Sequence, residues 1–117
     1  MTVSSIITIA RRFLQDTASP YHWTDENLTK NLQSAIIALH KERPESRYVN
    51  GALVDKVELP DEPEEGEEEA AITIDDRFEE ALACYVTHLA YLDDCTDTVS
   101  ATLAEVFLQK FKAKAQT

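Results

Sequence analysis

Apolar side chains recur at the spacing of an α-helix in four stretches of this chain, and that pattern limits the possible folds more than any other feature. Val3, Ile6, Ile7, Ala10, Phe13 and Leu14 make one stripe, and Leu28, Leu32, Ala35, Ile36 and Leu39 make a second. A third helix is expected over residues 75–92, with Phe78, Leu82, Tyr85, Val86 and Leu89 facing inward. A fourth is expected from about Thr96, using Val99, Leu103, Val106, Phe107 and Phe111. The second helix has the best-marked start. Thr24 is a good N-cap, Asp25 and Glu26 lie at the positive end of the helix dipole, and Trp23 is placed to pack on Leu28. Its end carries His40, Lys41 and Arg43, and Pro44 stops it. Asp75 or Asp76 caps the third helix, and Asp93, Asp94 and Asp97 fall at its junction with the fourth.

Between helices two and three the period changes. Residues 48–54, with the Asn50-Gly51 pair at their centre, read as a β-hairpin, and Val57 and Leu59 continue an alternating strand. Residues 71–74 are expected to be able to pair with it. The expected fold is therefore mainly α: a four-helix bundle-like domain with a β-hairpin and acidic loop excursion between helices two and three. A chain of 117 residues with 44% hydrophobic side chains suits a single domain spanning 1–117.

The excursion holds the most charged segment of the sequence. Asp61, Glu62, Glu64, Glu65, Glu67, Glu68 and Glu69 place seven acids, with no base, in residues 61–69. The formal charge of the chain is −11, and outside this run 15 acids face 11 bases. Such a run is ordinarily a solvated loop, since it can bury nothing apolar. Order in such a run would suggest a partner or neighbouring copies around it. A balance this acidic argues against a nucleic-acid grip, which needs Lys and Arg to displace counterions from phosphates.

Little in the sequence points to catalysis, and no cofactor is expected. Two glycines leave no room for a phosphate-binding loop. Cys84 and His88 stand at i and i+4, a spacing that can place two metal ligands on one helical face, but no second pair completes a site. Cys84 reads as a small core residue and His88 as a surface or interface group. Both Cys84 and Cys95 are expected to be reduced thiols in a chain made in the cytoplasm, with no signal peptide. No segment is long enough to span a membrane. The basic clusters are Arg11-Arg12 and the C-terminal Lys110, Lys112 and Lys114, which read better as salt-bridge partners than as phosphate contacts. Phe107, Lys110, Phe111, Lys112 and Lys114 together suggest a docking segment over residues 109–117, with aromatic anchors and a cationic rim. The competing expectation is that Phe111 folds back into the chain's own core.

Several of these residues carry a family resemblance. A first helix ending in Ala10-Arg11-Arg12-Phe13-Leu14-Gln15-Asp16 is followed by a short turn and Trp23-Thr24-Asp25-Glu26. A second helix closes on Arg43-Pro44-Glu45, and after the β-excursion a third carries Ala81-Leu82, Tyr85 and Ala90-Tyr91-Leu92-Asp93. Over nearly its whole length the chain resembles the small head-to-tail connector (adaptor) proteins of tailed bacteriophages. The resemblance implies a helical bundle with a protruding hairpin, assembled as a homo-oligomeric ring, commonly dodecameric. The ring would sit in the virion neck, between the portal protein and a downstream tail or neck protein. DNA would pass through without specific binding, and the acidic run would face the channel or the ring. The docking segment would then meet the portal. Two other classes remain: an acidic monomeric DNA mimic or inhibitor bound to a basic partner, and a small metal-dependent enzyme built on Cys84 and His88.

Overall fold

In the computed structural model, which describes residues 1–17, 22–49, 51–93 and 98–116, each of the four helical stripes becomes a helix. They are α1 (Val3–Leu14), α2 (Asp25–Glu42), α3 (Glu79–Asp93) and α4 (Thr98–Ala115). Thr2 caps α1 by accepting from the Ser5 amide, while the Ser5 hydroxyl accepts from the Thr2 amide, so two otherwise unpaired donors are satisfied together. Thr24 caps α2 as expected, accepting from the Asn27 amide. The chain leaves α2 at Arg43 and turns through a short 3-10 segment, Pro44–Arg47. Asp75 accepts from the Arg77 amide and opens the 3-10 turn Asp76–Phe78 that leads into α3.

α3 is the centre of the molecule. Ala81, Leu82, Ala83, Cys84, Val86, Thr87, His88 and Ala90 are all buried, so the helix is covered on nearly every side. It packs most extensively on α4 and then on α2 and α1, whereas α1 and α2 touch each other little. The small side chains of α3 allow this close approach. Around it lies one core that includes Ile6, Leu28, Leu32, Ile36, Leu39, Phe78 and Phe111, each at most 1% exposed. An aromatic chain ties the helices together at one end. Phe13 and Tyr91 both lie against Phe107, at 5.4 and 5.9 Å between ring centroids, and the Trp23 Nε1–H donates to the Ala90 carbonyl. Trp23 is half-buried in this position.

The excursion is less regular than the alternation predicts. A hairpin forms from β1 (Tyr48–Val49) and β2 (Ala52–Leu53), with Tyr48 opposite Leu53 and Val49 opposite Ala52. Gly51 has φ of 81°, a left-handed conformation that favours glycine, while the preceding Asn50 lies outside the described residues. The expected continuation as a strand through Val57 and Leu59, paired with residues 71–74, does not occur. These segments are extended plugs instead. Val57, Ile72 and Ile74 insert into the core, and the Val57 amide is taken by the His40 ring and the Ile72 amide by the Met1 carbonyl. The alternation marked burial correctly, but each backbone amide found a partner outside a sheet.

The apolar face of α4 also differs from the expected one. Val99 is 67% exposed and Val106 40%, while the buried face runs through Ala104, Phe107, Phe111 and Ala115. The molecule is a slab of 44 × 36 × 19 Å. Asp94, Cys95, Thr96 and Asp97, which carry the expected start and cap of helix four, lie outside the described residues.

Candidate functional site

The C-terminal segment expected to dock is held in the body of its own chain. Phe107 is 7% exposed and Phe111 1%, with Phe111 meeting the Tyr85 ring edge-on at 4.8 Å. The Arg43 guanidinium donates to the Ala115 carbonyl at 2.6 Å, tying the end of α4 to the end of α2. Lys114 pairs with Glu80 at 2.7 Å, which raises the lysine pKa and lowers that of the glutamate. Lys110 lies over the Phe107 ring, and Lys112 is exposed. The expectation that residues 109–117 extend from the bundle on aromatic anchors is therefore corrected: both phenylalanines face inward, because a helix continuing to Ala115 keeps them over α3. Thr117 lies outside the described residues.

The acidic run takes the opposite position. Asp61, Glu62, Glu64, Glu65, Glu67 and Glu68 are exposed, and Glu69 is half-buried, accepting from the Ser4 amide near the start of α1. Gly66, with φ of 86°, forms a tight turn in which the Glu67 amide bonds to the Glu64 carbonyl. The flanks of the run roof a groove of about 1080 Å³. Its floor is Val3 and Ile7, and its walls include Arg11, Asp25, Lys30 and Glu62. The groove exists because α1 and α2 both pack on α3 rather than on each other.

Arg11 turns out to be structural, which its place in a basic doublet conceals. Its guanidinium is buried and donates to Asp16 at 2.9 Å, to the Trp23 carbonyl and to Asp25. Asp16 in turn accepts from the His22 and Trp23 amides. Burial alone would raise the Asp16 pKa, but the two amides and Arg11 together hold it below the usual carboxylate value. This clamp sets the angle at which the chain enters α2.

The histidines and the buried cysteine have equally specific partners. His88 is buried rather than a surface group, since its Nδ1 lies 2.6 Å from the Ala104 carbonyl and must donate to it. Cys84 is a fully buried free thiol, and burial raises its pKa, so it stays protonated and unreactive. Among the described residues no group of three His, Cys, Asp or Glu side chains could hold a metal ion. His40 accepts the Val57 amide at Nε2, which leaves its proton on Nδ1 to donate to the Ser46 hydroxyl. Burial, with Arg47 and Lys56 nearby, lowers its pKa. No helix among the described residues is long and apolar enough to cross a membrane.

Comparison of the chain with protein-family models, with curated proteins and with solved structures found no match.

Proposed function

We propose that this chain is a structural subunit of a ring in the neck of a tailed bacteriophage, joining the portal to the tail and extending the channel through which DNA passes. The proposal begins from the resemblance of residues 10–16, 23–26, 43–45 and 81–93 to the connector proteins. The observation that carries it is the distribution of exposed apolar side chains. Leu92 and Val99 project at 52% and 67% exposure on either side of the α3–α4 junction, and Val106, midway along α4, at 40%. Ile37, on the second half of α2, and Tyr48 and Leu53, on the hairpin, project at 43%, 58% and 53%. Exposed apolar side chains on two sets of elements, α3–α4 and α2 with the hairpin, are what a head-to-tail contact between copies would use.

The acidic balance fits the same reading. A channel that lets DNA slide benefits from a wall that does not hold phosphates, and an acidic surface repels them. The exposed acidic run favours a second reading, a monomeric DNA mimic that occupies the basic groove of another protein. Electron microscopy of the chain mixed with a phage portal decides between them. Rings stacked on the portal support the connector. Single subunits that ignore the portal and bind a basic protein one-to-one support the mimic.

A further inference from the structure

At the C-terminal end of α2 a cleft of about 400 Å³ opens between Ile37, His40, Lys41, Arg47, Asp55 and Lys56. Three of these six residues are cations against one acid, Asp55, in a chain whose acids outnumber its bases by 22 to 11. Lys41 and Lys56 are exposed, and Lys56 approaches Glu58 at 3.9 Å. Arg47 Nε is buried with no hydrogen-bond partner. His40 accepts a backbone amide at Nε2 and so adds no charge to the cleft, leaving Lys41, Arg47 and Lys56 as its cations.

The geometry points to an occupant: the acidic run of a second copy, residues 61–69, seated in this cleft. The run offers seven carboxylates and no base, and residues 61–68 are exposed. A subunit's own run lies elsewhere, beside α1 and the N-terminal half of α2, where the groove is lined by Asp25, Glu26 and Lys30 and where Glu69 is bonded to Ser4. The cleft uses Ile37, His40 and Lys41 of the same helix, toward its other end. Donor and acceptor thus occupy different parts of one molecule. A contact of that kind is heterologous, so it propagates from copy to copy and closes into a ring when the rotation allows. The inference rests on the ring reading above and identifies one joint of that ring, with charge fixing which surface meets which.

The test uses the full chain and a synthetic peptide of residues 59–70, followed by fluorescence anisotropy at low salt. The peptide should bind saturably, and K41E/K56E should weaken binding by at least about tenfold, as should raised salt. Both lysines are exposed, so circular dichroism should show an unchanged fold; R47Q provides a second variant that removes the buried donor. A chain carrying E64K/E65K/E67K should pair with the K41E/K56E chain and not with itself. A peptide that does not bind, or binds K41E/K56E as well as the parent, overturns the inference, as does a cleft that prefers an oligonucleotide to the peptide. Assembly separates this from the ring reading. If the parent chain forms rings and K41E/K56E forms them equally well, the joint is wrong and the ring stands. If the peptide binds the cleft but no ring ever forms, the ring reading fails and the cleft assignment survives.

Discussion

Asp16 and His40 each hold the backbone of a distant segment through their side chains. Asp16 gathers two backbone amides and the Arg11 guanidinium. Replacing Asp16 with Ala strands a buried guanidinium bond and two amides, and should lower the unfolding free energy by about 2–3 kcal/mol in urea titrations. Because the native Asp16 pKa is depressed, its contribution is present above the unfolded-state value and is lost as pH falls through the native one. His40 works in the same direction for a different reason. It is neutral in the native state, so the unfolded chain takes up a proton first, near its ordinary pKa of 6.5, and acidification below that value favours unfolding. The urea midpoint should therefore fall between about pH 7 and pH 5. His40→Gln should show a smaller fall over that window; an identical slope in parent and variant would remove His40 from the account. Thr24 was legible as a cap because capping is local. The Arg11 clamp was not, because its partners stand five and fourteen residues away and an arginine doublet looks like surface.

At the scale of elements, the four helices could be read from periodicity, but the inward face of α4 could not. Its large apolar residues fit two overlapping stripes, and the structure selects the one completed by Ala104 and Ala115, whose short side chains carry little signal. Position on α3 explains the choice: small residues there admit Phe107 and Phe111, leaving Val99 and Val106 outside. The same weakness affects residues 71–74, where alternation gave burial correctly and strand pairing incorrectly. Phe111→Ala should cost about 3–5 kcal/mol, read as a lowered melting temperature. Truncation after Leu108 should go further and abolish cooperative unfolding, because it removes Phe111, Ala115 and the carbonyl that Arg43 holds. A truncated chain that keeps its helicity and a sharp transition would restore the docking-segment expectation.

For the whole molecule, fold class was legible and the candidate surfaces only partly so. The acidic run stood out in the sequence because charge density needs no tertiary context. The basic cleft did not, since Lys41, Arg47 and Lys56 are spread over sixteen positions and meet only when α2, the 3-10 turn and the hairpin are in place. Deleting residues 62–68 should leave circular dichroism and thermal stability nearly unchanged, since all of these residues are exposed. That the chain is a ring subunit is tested most directly by the mass of the particle it forms. Native mass spectrometry of the purified chain, alone and with a portal, should find one closed multimer of fixed copy number, disrupted by high salt. A monomer at every concentration, with and without the portal, would contradict the account.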